Sequence, residues 1–320
     1  MMKKLKFASL LCIAALAGLL GAASFAGAAA YVSIATGGTA GTYYPIGGAI
    51  AKAASNNPAI KATAETGNAS VANINLLGRG AIEVAFAQND ISYWAYHGEM
   101  MFKAPMKNLR AVAALYPEHV QLLVTKDSKV NTLTDLKGKR VGVGAPGSGV
   151  EADVRALFQV AGLTYDQMKV DFLDFGATTD RFKDNQIDAG FVVAGFPTAS
   201  IMDLATSKDV TLVSFDDAYL AKLVKEHPYF VISTIPAGTY TGIDKDIKTP
   251  AVKAVLLTHD GVSDDVIYAF TKGMFENLDT IHASHAKGKE ITLQTALDGL
   301  TVPLHPGAAR YFKEKGMKVE

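Results

Sequence analysis

The chain has 320 residues, of which 49% are hydrophobic and 19% charged, and its 31 basic residues balance its 31 acidic residues. This length predicts two domains, each large enough to bury a core. The charge balance excludes a strongly cationic nucleic-acid-binding protein and a chain with a long acidic tail.

Residues 1–30 have the pattern of a secretory signal peptide. Their only charges are lysines within the first six residues, an apolar run follows over residues 7–20, and small residues complete the segment. That run is too short for a transmembrane helix, which needs about 20 apolar residues. We therefore expect export to the periplasm, with cleavage near Ala26–Ala30.

The only cysteine, Cys12, lies in this segment, and the apolar residues on both sides of it do not favour a lipid anchor. Removing the signal lysines leaves a net charge of about −3 and no cysteine. A chain without cysteine suits an oxidising compartment and needs no disulfide if its core is large. No second apolar run approaches the length of a span, so the expected product is a soluble exported protein.

The first part of the remaining chain alternates short strands with helices. The predicted elements are strands at residues 31–35, 60–65 and 84–87 and helices at residues 43–56 and 71–79. This βαβαβ order predicts an α/β lobe with a mainly parallel sheet. A long apolar segment over residues 109–124 can then carry the chain from one lobe into another.

The same order begins again after this segment. The predicted strands are 139–143, 170–173, 189–193 and 210–213, and the predicted helices are 150–160, 178–185 and 197–207. A strand at 252–257 returns the chain to the first lobe, where helices follow at 266–278 and 308–315. We therefore predict lobe I at 31–124 plus 252–320 and lobe II at 125–251.

Glycine-rich loops precede three of the predicted helices, at Thr36–Thr42, Gly67–Ser70 and Gly144–Gly149. Glycine allows a tight turn and a close approach of a ligand to the backbone. The helix that follows offers unpaired N–H groups and a positive dipole end, which favour an anion. Ser148 with Glu151 fits a capping box, and Ser70 fits an N-cap. Ordinary α/β turns explain any single loop, but three in one chain favour a ligand site.

Two enzymatic interpretations of these loops compete with a simple ligand-binding site. Residues 142–147 match G-x-G-x-x-G, with Asp171 and Asp174 at a suitable distance for a nucleotide ribose, but the motif lies in mid-chain and export separates it from nicotinamide cofactors. Ser148 lacks the flanking glycines of a G-x-S-x-G nucleophile. A hydrolase or transferase that uses the same cleft stays open as an alternative.

His282 and His285 have the i, i+3 spacing at which two histidines could share a metal ion. No carboxylate or cysteine set accompanies them, so an exposed polar face is the preferred interpretation. We expect neither a cofactor nor a metal.

Motifs along most of the chain resemble the TAXI receptors, the extracytoplasmic solute-binding proteins of one branch of the TRAP transporters. The motifs that carry the resemblance, in chain order, are Ile34–Pro45, Leu115–Glu118, Leu136–Val141, Gly144–Gly149, Gln186–Ala189, Gly195–Pro197, Thr234–Tyr240 and Pro303–Ala308. Together they cover residues 31–312. One departure is Thr66–Ser70, where the family more often has a second glycine before the serine.

The resemblance implies a type II periplasmic-binding-protein fold, in which two α/β lobes joined by crossing strands close on a small ligand. It also implies delivery of that ligand to TRAP membrane permease subunits, and no enzymatic activity. The ligands known for the family are glutamate-like amino acids, dicarboxylates and other small anionic metabolites. We expect a monomer that docks transiently at the membrane; a ligand sensor for a membrane kinase is a further alternative.

The residues themselves predict a carboxylate held by helix N-termini of both lobes. No arginine lies in the glycine loops, so backbone N–H groups and hydroxyls must supply the contacts. The expected ligand-binding residues are Gly38, Thr39, Thr42, Tyr43, Ser70, Gln88, Asn89, Tyr116, Ser148, Gly149, Gly195 and Phe196. For Tyr43, Tyr116 and Phe196, packing in the core or between the lobes is an alternative role. The single tryptophan, Trp94, is expected in the core.

Overall fold

A computed structural model describes residues 28–319 of the chain. Almost all of the predicted signal peptide, including Cys12, lies outside these residues. Within the described part, no helix has both the length and the apolar character to cross a membrane.

The described residues form ten strands and ten α-helices, with short 3₁₀ turns between some of them. The strands are β1 (Ala30–Ala35), β2 (Ile60–Glu65), β3 (Val84–Gln88), β4 (Leu109–Thr125), β5 (Arg140–Gly142), β6 (Lys169–Asp171), β7 (Ala189–Ala194), β8 (Val210–Leu212), β9 (Val231–Ile235) and β10 (Ile247–His259). The helices are α1 (Tyr43–Ala54), α2 (Ser70–Gly78), α3 (Asn89–His97), α4 (Gly149–Ala161), α5 (Phe175–Lys183), α6 (Ala199–Ser207), α7 (Asp217–Glu226), α8 (Asp264–Phe275), α9 (Leu278–His282) and α10 (Pro306–Glu314).

The strands form one mixed sheet in the order β2-β1-β3-β10-β4-β7-β5-β6, with β8 added beside β4 and β9 beside β10. The outer strands pair in parallel, as the βαβ order predicts. The two central strands, β4 and β10, pair antiparallel with each other and with their outer neighbours. The expected α/β fold is therefore confirmed.

The two long strands connect the halves of the sheet. The first part of β4 pairs with β10, and its last residues pair with β7 instead. In β10, Ala254–Leu257 pair with β3, and the preceding residues pair with β9. Strands β4 and β10 therefore each run from one α/β half into the other. The two halves lie side by side as a result. The exact lobe boundaries at residues 124/125 and 251/252 stay a prediction.

Most differences from the sequence prediction occur where a helix follows a strand closely. Helix α3 begins at Asn89, directly after β3 ends, so no turn residue marks its start. Helix α5 begins at Phe175 rather than at residue 178 because Asp174 caps it, its Oδ1 accepting the N–H of Ala177 at 2.8 Å. The prediction missed helix α7, although Leu220 and Leu223 give it a buried face. Trp94 is 1% exposed and belongs to the core, as predicted.

Candidate functional site

A cavity of about 450 Å³ lies where the loops of the two halves meet. The loop before α1 and the loop before α2 line it from one side, and the loops before α4 and α5 line it from the other. Its volume lies in the range of pockets that hold small molecules. The three glycine loops of the sequence analysis therefore meet in one place, together with a fourth loop at Asp174.

Eight of the twelve predicted ligand-binding residues line this cavity: Gly38, Thr39, Thr42, Tyr43, Ser70, Gln88, Ser148 and Gly149. Four predicted residues, Asn89, Tyr116, Gly195 and Phe196, do not line it.

Asn89 connects β10 with the segment around Gly299 and does not line the cavity. Its Oδ1 accepts the backbone N–H of Lys253 at 2.9 Å, and its Nδ2 donates to the carbonyl of Gly299 at 3.3 Å. Tyr116 is fully buried, and its ring packs so closely on Gly195 that an added Cβ there would lie 3.1 Å from it. The packing role that the sequence left open for Tyr116 is the one the structure shows.

Phe196 also packs away from the cavity. Its ring meets His119 edge-on with the centroids 4.6 Å apart, and the Nζ of Lys287 lies 3.8 Å from its centroid. Burial, followed by the nearby charge of Lys287, lowers the pKa of His119 to about 3. These contacts hold the end of β7 against the first half of the molecule.

Helix N-termini contribute to the polar surface of the cavity. At α4, Ser148 Oγ accepts the N–H of Glu151 at 3.2 Å, which leaves the N–H groups of Gly149 and Val150 without an intrahelical partner. The predicted capping box is only half formed, because the Glu151 carboxylate pairs with Arg155 at 2.6 Å instead. The N-termini of α1 and α2 have no side-chain cap. Together these ends give a positive local potential.

The loop before α2 is strained. Ala69 has φ 62° and ψ −151°, a backbone conformation that is essentially restricted to glycine. The helix begins at Ser70, so Ser70 is not its N-cap and that prediction is wrong. Ser70 Oγ instead accepts the backbone N–H of Gln88 at 3.2 Å and donates to Gln88 Oε1 at 3.2 Å. The strained residue stands just before the serine, where the TAXI resemblance implies a glycine.

The sequence analysis missed two acidic residues of the cavity lining, Glu118 and Asp174. Tyr43 donates its hydroxyl to Glu118 Oε2 at 2.6 Å. The pKa of Glu118 is raised to about 8. Burial is the main cause, the hydrogen bond from Tyr43 partly offsets it, and the negative charge of Asp90 adds to the rise. Glu118 is therefore mainly neutral at pH 7. A glutamate inside a long apolar strand was the available signal for this residue.

No lysine or arginine side chain lines the cavity within residues 28–319. Arg140 pairs with Asp188 at 2.6 Å, Arg110 with Asp260 at 3.3 Å and Arg310 with Asp265 at 2.9 Å, all near the surface. An anion in this cavity would thus be held by backbone N–H groups and hydroxyls.

Among the described residues, at least four hydrogen bonds join the two halves around the cavity. Two use side chains: Thr42 donates its hydroxyl to the carbonyl of Gly195 at 2.9 Å, and Gln88 Nε2 donates to Asp153 Oδ2 at 2.7 Å. The other two join backbone groups, from Ala72 to Gly147 at 3.0 Å and from Ser200 to Ala40 at 3.3 Å. The two halves are therefore in direct contact around the cavity, and Thr42 and Gln88 link them as well as lining the cavity.

The histidines and Ser148 form no catalytic arrangement in the described part of the chain. His282 Nε2 lies 2.9 Å from the carbonyl of Ile291, and His285 Nε2 lies 3.0 Å from that of Pro197. No histidine lines the cavity beside Ser148, and no group of three metal-ligating side chains occurs among the described residues.

A family model described as the NMT1-like family matches residues 34–316 of this chain. Three solved structures share its fold. The periplasmic binding protein BugD is 9% identical, with 91% of this chain and 99% of BugD covered and a TM-score of 0.57. MatC from Rhodopseudomonas palustris with bound malate is 11% identical, with 89% of this chain and 97% of MatC covered and a TM-score of 0.55. The alkanesulfonate-binding protein SsuA from Xanthomonas axonopodis pv. citri bound to MOPS is 16% identical, with 90% of this chain and 85% of SsuA covered and a TM-score of 0.51. At these identities the likeness concerns the fold alone.

Proposed function

The chain belongs to the NMT1-like family, and from this premise we propose that it is an extracytoplasmic receptor that captures a small carboxylate for a membrane transporter. The observation that carries the proposal is the cavity between the two α/β halves. The N-termini of α1, α2 and α4 line it without a charged cap, and no lysine or arginine side chain of the described residues does. MatC and SsuA, which share the fold, were solved with malate and with MOPS, both of which carry an anionic group.

The residues of the cavity can supply the required affinity without arginine. The N–H groups at the start of α1 and α4 and the hydroxyl of Thr39 would meet the carboxylate oxygens. A hydrogen bond to a charged group contributes about 1.5–3 kcal/mol. Four or five such bonds, less the entropy of association, are enough for a micromolar dissociation constant, which corresponds to about −8 kcal/mol.

Neither acidic residue of the lining opposes this role. Asp174 is occupied as the cap of α5, where a negative charge compensates the helix dipole. Glu118 is mainly neutral below a pKa of about 8, so it can donate a hydrogen bond to a carboxylate. Glu118 would also accept from the ammonium group of an amino acid when it is ionised.

The finer assignment rests on the sequence motifs. Their resemblance to the TAXI receptors supports a TRAP permease as the partner and a C4 or C5 dicarboxylate, 2-oxoacid or glutamate-like amino acid as the ligand. The pattern of residues 1–30 supports export to the periplasm, and we propose that the receptor acts there as a soluble monomer. Lobes at 31–124 plus 252–320 and at 125–251 would then close on the ligand.

A thermal-shift screen tests the proposal directly. Malate, succinate, 2-oxoglutarate, L-glutamate and an alkanesulfonate would be compared with uncharged analogues such as malate dimethyl ester. Ligands that bind the folded state raise the melting temperature with concentration. We expect a shift with at least one carboxylate and none with its ester. A shift with the sulfonate alone, or with esters as well as acids, would contradict a carboxylate site.

A further inference from the structure

Two aspartates are buried behind the cavity, one from each half of the molecule. Asp90 lies in the first turn of α3 and Asp153 in the second turn of α4, and both are 0% exposed. Their helices belong to different halves, and the two carboxyl groups meet where the halves are in contact.

Few hydrogen-bond donors reach the pair in the described part of the chain. Gln88 Nε2 donates to Asp153 Oδ2 at 2.7 Å, while Asp153 Oδ1 and both oxygens of Asp90 have no partner among the described residues. Two ionised carboxylates can only accept, so no hydrogen bond can form between them. A single proton would turn one of them into a donor to the other.

The surroundings supply no compensating positive charge. The titratable neighbours are Glu118 from β4 and Tyr229 from the loop before β9. Burial is the main cause of the raised pKa of Asp153 and of Tyr229; Glu118, when ionised, adds to the rise at Asp153, and Asp90, when ionised, adds to the rise at Tyr229. Lys253 of β10 contacts this region through its backbone N–H, which donates to Asn89. Among the described residues, no lysine or arginine pairs with either aspartate.

The remaining charged groups of the packed helices are engaged elsewhere. On α4 itself, Glu151 and Arg155 pair with each other at 2.6 Å. On α7, Lys222 donates to the carbonyl of Val160 at 2.8 Å, near the far end of α4. Burial, the largest cause, raises the pKa of both aspartates, and the nearby Asp90 adds to the rise at Asp153.

We propose that Asp90 and Asp153 together form a proton-binding site that exists only when the two halves are closed. In an open form each carboxyl faces water alone and is ionised above about pH 4. Closure brings the carboxyls together and takes up one proton, which then bridges them. The closed form is consequently favoured by low pH, by up to tenfold per pH unit between the titration of the open and the closed forms.

This proposal uses the closure that the proposed function requires, but its test needs no ligand. The full chain and the variants Asp153→Asn, Asp90→Asn and Asp180→Asn would be unfolded in urea at intervals from pH 5 to pH 8. An asparagine amide can donate to the remaining carboxylate without a proton, whereas Asp180 is exposed and serves as a control.

The direction in which stability changes with pH follows from the raised pKa of the pair. The folded state holds a proton that the unfolded state has released, so the wild-type chain loses stability as pH rises through this window. We expect its unfolding constant to rise about tenfold more per pH unit than that of Asp153→Asn or Asp90→Asn, while Asp180→Asn follows the wild type. Equal slopes in all four chains would overturn the proton site.

X-ray scattering of the ligand-free proteins tests the link to closure. We expect the radius of gyration of the wild type to increase from pH 5.5 to pH 8.5 and that of Asp153→Asn to stay at the smaller value. If both variants fold poorly, the infrared spectrum of Glu118→Gln at pH 7 decides, since this chain lacks the other buried carboxyl with a raised pKa and only the aspartate pair can then give a protonated carboxyl band. A pH-independent radius, or the absence of that band, refutes the proposal. A negative ligand screen with positive results here would refute only the proposed function.

Discussion

Replacing Gly149 by alanine gives the most specific test of the closed cavity. A Cβ at this position would lie 1.4 Å from Gln88 Oε1 and 2.7 Å from Ser70 Oγ. Gln88 cannot move aside freely, because it is buried and its amide donates to Asp153. The substitution must therefore break the contacts of Gln88 or hold α4 away from the first half.

Either outcome lowers the stability of the closed form relative to the open form. Leaving a buried polar group without its partner costs about 1–3 kcal/mol. Gly149 is the first residue of α4 and has no positive φ, so alanine fits its backbone and each separate half stays folded. Since ligand must close the receptor, the cost appears in binding as a loss of about 5- to 150-fold in affinity.

The assay is isothermal titration calorimetry with the best compound of the thermal-shift screen. Gly48→Ala is the matched control, because Gly48 is also helical and a Cβ there would meet nothing within 4 Å. We expect the control to bind like the wild type. A Gly149→Ala protein that is folded and binds within twofold of the wild type would show that Gln88 and α4 are not in contact in the bound form.

Four further substitutions test the site. Ala69→Gly should raise stability by about 1–3 kcal/mol in urea unfolding, because glycine adopts this backbone conformation without strain; an unchanged midpoint would contradict the conformation. Ser148→Ala should cost about 0.5–2 kcal/mol through the lost cap of α4 and also weaken ligand binding in calorimetry. Thr42→Val should weaken binding by about fivefold, since a hydrogen bond of about 1 kcal/mol between the halves is lost, whereas Thr42→Ser should not. Burial raises the pKa of Glu118 to about 8, so the wild type loses stability as pH rises from about 4.5 to 8; Glu118→Gln should flatten this slope, and an unchanged slope would contradict it.

The sequence predicted the fold because its signals are local. Glycine loops before helices and short apolar strands mark each βαβ unit, and the long apolar segment at residues 109–124 became strand β4. The strand predicted at residues 252–257 is part of β10, which is longer because polar residues such as Lys248 continue it at its pairing with β9. Local patterns thus located the elements, while their lengths depended on pairing partners far away in the chain.

The site was predictable where it depends on loops and not where it depends on distant contacts. Gly38, Ser148 and Gly149 follow from their loops, whereas the positions of Tyr116 and Phe196 depend on how β4 and β7 pack. The hydroxyl of Thr42 was expected to face a ligand, but it donates to a carbonyl 153 residues away. Such long-range pairing leaves no pattern in the local sequence.

The structure also explains how a chain with no excess of basic residues can be proposed as a receptor for an anion. The charges that matter in the cavity are partial charges of helix ends, which a count of lysines and arginines does not register. The acidic groups behind and beside the cavity, Glu118, Asp90 and Asp153, all have raised pKa values because they are buried. Protonation therefore reduces the negative charge at the site in the closed form. In this proposal, capture of an anion and uptake of a proton are favoured by the same closure, so each should strengthen the other.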